Sequence, residues 1–231
     1  MNRKVAAQKK SNVNPIGPEL SFSGREAYKL LRTNIMFALP RDAQGAKVIG
    51  VTSSVSGEGK SLTTINLAFS MAESGLKVLV IECDMRLPTL GGKMGIAPGP
   101  GLSNLLARFS SANDILHRNT LIKGLDVILA GDIPPNPSEL LGAESMRIVL
   151  EKMGSYYDYI ILDLPPVGSV TDALVVSKFT DGMIVVVRKD YTNATVLSDT
   201  IRQLKHVDAH IVGFVFNDAA SSQKAYKRYG E

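Results

Sequence analysis

Short apolar runs recur along the chain, and stretches with helical spacing separate them. The runs are rich in β-branched residues and occupy 47–53, 77–83, 125–130, 157–163, 182–188 and 210–216. The intervening spacing predicts helices near 24–38, 60–74, 103–117, 138–154, 170–178 and 194–206. Strands that are apolar on both faces and alternate with helices are typical of a parallel sheet. We therefore predict an α/β fold whose mostly parallel sheet carries helices on both faces.

The two ends of the chain differ from this alternating region. Residues 1–20 are polar, basic and interrupted by prolines, and they predict a flexible basic arm. Residues 218–231 are small, polar and aperiodic, and they predict a flexible tail that bears tyrosines. We expect one domain over 21–217, which begins with the amphipathic helix 24–38.

Composition narrows the class of protein. The 231 residues are 45% hydrophobic and 21% charged, which suits one globular domain, and the net charge of +4 does not indicate a nucleic-acid partner. The single cysteine, Cys83, excludes a disulfide framework and a Cys-x-x-Cys pair. Neither a secretory signal nor a long apolar run is visible, so we expect a cytoplasmic location.

The stretch VSGEGKSLTT follows the first strand and opens a helix, as in phosphate-binding loops. Lys60 would reach the β- and γ-phosphates of ATP, and the Ser61 hydroxyl would ligate Mg²⁺. Ser54 occupies the position of the usual first glycine, and the alternative is a glycine-rich turn with a capping serine. The loop predicts a P-loop NTPase fold that uses ATP and Mg²⁺. The nucleotide-binding residues predicted in the loop are Ser56, Gly57, Glu58, Gly59, Lys60, Ser61 and Leu62.

Carboxylates follow two of the predicted strands. Asp163 ends the run YIILD and is predicted to bind Mg²⁺, directly or through water. Glu82 and Asp84 follow the strand after the loop, with Asp84 a further candidate metal ligand. Ligands of open α/β sheets bind at the carboxyl ends of the strands, so these side chains should lie near Lys60.

Four segments together resemble the bacterial tyrosine kinases of capsule and exopolysaccharide synthesis. They are VSGEGKS, VLVIECDMRLP, GDIPPNPSELL and YIILDLPPVG, and the resemblance runs from about residue 24 to the end of the chain. These kinases belong to the deviant-Walker P-loop ATPases, with the MinD and ParA proteins. The resemblance implies a catalytic set of Lys60, Glu82, Asp84 and Asp163, in which the paired carboxylates assist the metal and accept the proton of a tyrosine. It also implies that Arg86 and Asn217 bind the nucleotide, with Asn217 at the adenine edge.

Three positions depart from the family pattern. Glu82 stands where the family usually has aspartate, and its carboxylate reaches about one methylene further. Ser56 replaces a common proline in the loop. The resemblance implies that Glu26, Lys29 and Arg32 contact a neighbouring subunit, but Lys29 cannot reproduce the bidentate fork of an arginine.

The resemblance also implies partners and a substrate. Tyr226 and Tyr229 would be phosphorylated by a neighbouring copy in an oligomeric ring, and a cognate tyrosine phosphatase would reverse the modification. A transmembrane adaptor of the polysaccharide co-polymerase type would activate the kinase and recruit it to the inner face of the plasma membrane. The activity would regulate the synthesis and export of capsular polysaccharide or exopolysaccharide.

Two other functions compete with this one. A nucleotide-switched positioning ATPase of the MinD or ParA kind usually carries a lysine where this chain has Val55. A metal-cluster carrier ATPase needs a cysteine pair, and Cys83 is alone.

Overall fold

The computed structural model describes residues 15–41 and 45–219. Its strands are β1 (Lys47–Ser53), β2 (Val78–Glu82), β3 (Leu116–His117), β4 (Leu125–Ile128), β5 (Tyr159–Asp163), β6 (Gly182–Arg188) and β7 (Ile211–Asn217). Its helices are α1 (Phe22–Ala38), α2 (Lys60–Glu73), α3 (Leu90–Met94), α4 (Leu102–Leu106), α5 (Ala112–Ile115), α6 (Pro137–Gly142), α7 (Glu144–Gly154), α8 (Asp172–Ser177) and α9 (Ala194–His206). The described strands form one sheet in the order β3-β4-β2-β5-β1-β6-β7, and among them only the pair β3–β4 is antiparallel.

The sheet separates two apolar layers, and alternate residues of each strand enter opposite layers. Ile49 and Val80 pack with α1, α2 and α3, whereas Val48 and Ile81 pack with α4 to α9. Burial on both faces explains why the central strands are continuous apolar runs rather than alternating ones. The predicted fold class is confirmed.

The parallel strands bring distant parts of the chain to one edge of the sheet. Val51 of β1 and Glu82 of β2 both lie opposite Asp163 of β5, and Arg188 of β6 lies opposite Asn217 of β7. The loop after β1 and the side chains that follow β2, β5, β6 and β7 therefore meet at the carboxyl edge.

Two predicted helices are wrong as single elements. The helix predicted over 103–117 is divided into α4, α5 and β3, because Arg108 adopts a left-handed φ of 64° and Asp114 caps a new helix at Ser111. The helix predicted over 138–154 is divided at Ala143, whose extended backbone ends α6 and precedes α7. Apolar spacing continues across both breaks, so periodicity alone could not locate them.

The last residues of the predicted basic arm contact the folded domain. The Gly17 N–H donates to Asn66 Oδ1 at 2.8 Å, and Gly17 packs against the ring of Phe69, both on α2. Residues 1–14 and 220–231 lie outside the described residues, so flexibility of the arm and tail stays a prediction. None of the described helices has the length and apolar character that crossing a membrane requires.

Candidate active site

The phosphate loop joins the end of β1 to the start of α2. Gly57 and Gly59 take left-handed φ values of 84° and 95°, which residues with a Cβ rarely adopt. A Cβ on Gly59 would also clash with Nδ2 of Asn217. The loop borders a cleft of about 480 Å³, which is also lined by Lys60, Asp84 and the turn after β5. Backbone conformation and position both suit a loop that wraps phosphate groups.

Lys60, the first residue of α2, lies between two carboxylates. Its Nζ is 2.9 Å from Asp84 Oδ2 and 3.7 Å from Asp163 Oδ1. Burial alone would lower the pKa of Lys60, but the charges of Asp163 and Asp84 outweigh burial and raise it. The ammonium group therefore stays charged at the mouth of the cleft, where it can bind an anionic phosphate.

Asp163 ends β5 and is fully buried. Thr64 Oγ1 is 3.5 Å from its Oδ1, but its Oδ2 is buried and accepts no hydrogen bond from any described residue. Burial raises the pKa of Asp163, and the charge of Lys60 opposes that rise. An unpartnered buried carboxylate oxygen needs a cation or a water to stabilise it.

The oxygens around Asp163 fit Mg²⁺ better than a tightly caged metal. Ser61 Oγ lies nearby on α2, 3.4 Å from the hydroxyl of Thr89. Across the described residues, no cluster of three or more His, Cys, Asp or Glu side chains could enclose a metal. Mg²⁺ typically uses one or two carboxylates and completes its shell with water and substrate phosphates.

Asp84 lies just beyond β2 and faces the cleft. Its Oδ1 accepts the Leu87 N–H at 3.2 Å, and its Oδ2 accepts a hydrogen bond from Lys60. One backbone contact fixes the orientation of the carboxylate, while the other oxygen stays on the cleft side. Asp84 is therefore placed to accept a proton or to ligate a metal.

Glu82, two residues earlier, has a different environment. Its Oε1 accepts the N–H groups of Thr89 and Leu90 at 2.7 and 2.6 Å, and its Oε2 accepts the Ala130 N–H at 3.2 Å. Burial raises the pKa of Glu82, and these hydrogen bonds lower it. Glu82 does not line the phosphate cleft but borders a separate cavity of about 130 Å³. A catalytic role for Glu82 stays a prediction. Its hydrogen bonds join the end of β2 to the start of α3 and to the segment that follows β4.

Arg86 already forms an ion pair with a carboxylate of the protein. Its guanidinium forms a bidentate pair with Asp172 on α8, at 2.9 and 3.1 Å, and Nη2 also approaches Ser138 Oγ at 3.3 Å. Ser138, which belongs to the segment PPNPSELL, donates in turn to Asp172. Arg86 still lines the cleft, so nucleotide binding by this residue stays a prediction that would share the guanidinium with Asp172.

The outer side of the phosphate loop is attached to the connection between β6 and α9. Glu58 is fully buried in the loop, where its carboxylate accepts the Val55 N–H at 2.8 Å and the hydroxyl of Thr192. Thr192 also accepts the Arg188 N–H at 2.9 Å. Sequence reasoning did not single out Thr192, although its place just after a predicted strand was a usable signal.

Two further side chains, half-buried Arg188 and exposed Tyr191, extend this attachment. Arg188 Nη1 donates to the Gly57 carbonyl at 3.1 Å, and the Tyr191 hydroxyl donates to the Ser56 carbonyl at the same distance. The guanidinium carbon of Arg188 lies 5.1 Å from the centre of the Tyr191 ring, within the range of a cation–π interaction. These residues position the loop from outside, and they were also missed from sequence.

Asn217 ends β7 and contacts the loop directly. Its Nδ2 donates to the Glu58 carbonyl at 2.9 Å. The carboxamide therefore contacts the outer side of the loop, and nucleotide binding by Asn217 stays a prediction. Contact with adenine stays a prediction.

Comparison with known proteins identifies the family. A profile described as AAA domain matches residues 46–213. The chain is 34% identical to tyrosine-protein kinase YwqD of Bacillus subtilis, over 89% of this chain and 86% of that protein. The chain belongs to the bacterial tyrosine-protein kinase family. The predicted family and enzyme class are confirmed.

Two further comparisons extend this result. The kinase domain of the Escherichia coli tyrosine kinase ETK has a TM-score of 0.80 and 32% identity, covering 87% of this chain and 78% of that one. Tyrosine-protein kinase ptk of Acinetobacter johnsonii is 33% identical over 87% of this chain, but the match spans only 27% of that protein. The kinase described here thus corresponds to nearly all of some relatives and to about a quarter of others.

The predicted subunit-contact residues of the kinase lie on α1 but differ in availability. Lys29 pairs with Glu26 at 2.8 Å, and both side chains are partly exposed. Arg32 instead donates to the Ser70 carbonyl on α2 at 2.6 Å. Subunit contact by these residues stays a prediction, and in the described chain Arg32 already serves the packing of α1 on α2. Tyr226 and Tyr229 lie outside the described residues of the kinase.

Proposed function

We propose that this kinase transfers the γ-phosphoryl group of ATP to tyrosines in the tail of a neighbouring copy. The observation that carries the proposal is the position of Lys60 between Asp84 and Asp163, at a cleft that the phosphate loop borders. Phosphoryl transfer asks little covalent chemistry of a protein, so positioned charges of this kind are what the reaction requires.

Each of the three charged residues has a distinct role in this proposal. Lys60 binds the β- and γ-phosphates and exchanges part of its contact with the carboxylates for phosphate oxygens. Asp163 and Ser61 would hold Mg²⁺, which would supply charge neutralisation at the phosphates. Asp84 orients the incoming tyrosine hydroxyl and accepts its proton. A bond forms between the tyrosine oxygen and the γ-phosphorus, the bond to the bridging oxygen breaks, and ADP leaves.

Glu82 has a supporting role in the proposed mechanism. Its two oxygens already accept three backbone N–H groups, which leaves little capacity for a tyrosine proton. Thr89, one of those partners, approaches the hydroxyl of Ser61. Glu82 therefore positions the start of α3 beside the proposed metal ligand, and Asp84 performs the proton transfer.

The substrate and partners follow from the family resemblance. Tyr226 and Tyr229 are the proposed acceptors, and a flexible tail would raise the effective concentration of their hydroxyls near a neighbour's site. Each phosphate adds a charge of about −1.5 to −2, which would disfavour return of the tail to a site lined by carboxylates. A transmembrane adaptor, an oligomeric ring, a tyrosine phosphatase and control of polysaccharide export belong to the same proposal.

Phosphotyrosine mapping by mass spectrometry tests this function. The purified protein is incubated with Mg-ATP, with and without the cytoplasmic segment of a candidate adaptor, and Lys60→Met is the control. Phosphate on Tyr226 or Tyr229 that depends on Lys60 is the expected result. Hydrolysis of ATP without phosphotyrosine in either condition would contradict the proposal and favour a nucleotide-switched positioning ATPase.

A further inference from the structure

A second lysine lines the phosphate cleft and has no part in the mechanism above. Lys93 lies on α3 and borders the same cleft of about 480 Å³ as Lys60 and Asp84. Within the described residues, the Lys93 ammonium group forms neither a hydrogen bond nor an ion pair, while the Lys93 backbone N–H donates to the Thr89 carbonyl at 3.2 Å. Lys60, in contrast, contacts two carboxylates. The cleft thus holds one paired and one unpaired ammonium group.

The position of Lys93 relates it to the phosphate end of the cleft. Thr89 directly precedes α3 and Lys93 lies four residues later within the helix, so the two residues are one turn apart. The Thr89 hydroxyl is 3.4 Å from Ser61 Oγ, the proposed magnesium ligand. Lys93 therefore lies close to the proposed metal-binding end of the cleft.

The partly buried ammonium group of Lys93 would be stabilised by a bound anion. Burial lowers the pKa of Lys93, and the charges of Asp163, Glu82 and Asp84 only partly oppose that effect. Lys60 adds a like charge that lowers the pKa further. A partly desolvated ammonium without a partner is unfavourable, and an anionic ligand at the cleft would relieve that cost.

We infer that Lys93 is a second phosphate-binding residue, which contacts the γ-phosphoryl group of ATP opposite Lys60. This inference deepens the proposed function and rests on its assignment of the cleft to ATP. The ammonium groups of Lys60 and Lys93 would then both contact the transferred phosphoryl group. They would stabilise the negative charge that builds up during transfer. ADP lacks the γ-phosphate, so Lys93 favours ATP over ADP.

Binding measurements on nucleotide analogues test this inference. The affinities of wild type and Lys93→Met are measured for Mg-ADP and for a non-hydrolysable ATP analogue with Mg²⁺. The expected result is a loss of about tenfold or more for the ATP analogue, with ADP affinity within about threefold of wild type. Lys93→Arg keeps the charge and should retain most of the preference for the ATP analogue.

Lys123→Met is the matched control, because Lys123 is exposed in the loop before β4, away from the cleft. It should leave both affinities unchanged. Equal losses for the two nucleotides in Lys93→Met, or no loss for either, would overturn the inference. A lower melting temperature without nucleotide, together with an unchanged preference, would assign Lys93 to the fold and overturn it too.

The binding readout separates this inference from the proposed function. Loss of the ATP preference in Lys93→Met would support the inference even in a protein that labels no tyrosine. Conversely, Lys60-dependent phosphorylation of the tail with an unchanged preference in Lys93→Met would support the proposed function and overturn the role of Lys93.

Discussion

The inner and outer sides of the phosphate loop use similar side chains in opposite ways. On the outer side, Glu58 has both carboxylate oxygens in hydrogen bonds, to Val55 and Thr192. On the inner side, Asp163 is as deeply buried, but one of its oxygens has no partner in the described chain. A satisfied buried carboxylate holds structure together, whereas an unsatisfied one awaits a ligand. The comparison therefore separates residues that shape the loop from residues that act in the cleft.

The largest expected effect on activity comes from Asp163→Asn. This change removes a charged oxygen from the proposed metal site, and we expect phosphotyrosine formation to fall by about a hundredfold or more. Stability should not fall with it, because the lost carboxylate is buried and only partly compensated. Labelling rates and thermal unfolding of the same samples measure the two effects. A variant that is markedly less stable yet still active would show that Asp163 supports the fold and does not act in the cleft.

The same variant gives a pH prediction in the absence of nucleotide and metal. The pKa of Asp163 is raised in the folded protein, so the folded state binds a proton more readily than the unfolded state. Stability of wild type should therefore rise relative to Asp163→Asn as pH falls from neutral toward the ordinary aspartate pKa of 3.8. Chemical denaturation at several pH values measures the difference. A gap that stays constant with pH would show that Asp163 does not titrate as its burial requires.

Asp84 and Glu82 are two residues apart but have different roles in this account, so substitutions at the two positions should have different effects. Asp84→Asn should reduce phosphotyrosine formation by about 10²-fold or more, with little change in stability. Glu82→Gln should instead lower the free energy of unfolding by about 1–3 kcal/mol, because an amide group would face a backbone N–H donor. Denaturant titrations and initial rates, measured on both variants, distinguish the roles. If Glu82→Gln proved stable but inactive, the catalytic role implied by the family resemblance would regain support.

Loss of a hydrogen bond on the outer side of the phosphate loop should have a moderate effect on stability. Thr192→Val keeps the shape of the side chain but removes the hydroxyl that Glu58 accepts, at a cost of about 1–3 kcal/mol. Thr195→Val, the same change at an exposed position of α9, should cost less than about 0.5 kcal/mol. Thermal unfolding compares the two. Equal melting temperatures would show that the outer attachment of the loop is energetically unimportant.

Tyr191→Phe should have the smallest effect. The tyrosine is 54% exposed, and the change removes one hydrogen bond to the Ser56 carbonyl. We expect a loss of about 0.5–1 kcal/mol in stability and a change in ATP affinity of less than about threefold. A larger loss of affinity with unchanged stability would place Tyr191 in direct contact with the nucleotide.

Sequence predicted the sheet, the phosphate loop and the closeness of Lys60 to the carboxylates that follow β2 and β5. Local sequence patterns predict the strands and the loop. The carboxyl ends of parallel strands then lie at one edge of the sheet, whatever the shape of the connecting loops. The different environments of Glu82 and Asp84 were not predictable, since they depend on how the chain after β2 folds back to present the Thr89 and Leu90 amides. The outer attachment through Arg188 and Thr192 was missed for a similar reason, because its contacts cross more than a hundred residues.

A mixing experiment tests the central claim most directly. The donor carries Tyr226→Phe and Tyr229→Phe, so it has the complete cleft but no tail acceptor, and the acceptor carries Lys60→Met with both tyrosines intact. The two are distinguished by mass and incubated together with Mg-ATP and the adaptor segment. The account predicts phosphate on Tyr226 or Tyr229 of the acceptor only when the donor is present. An unlabelled acceptor beside a donor that hydrolyses ATP would contradict transfer between copies.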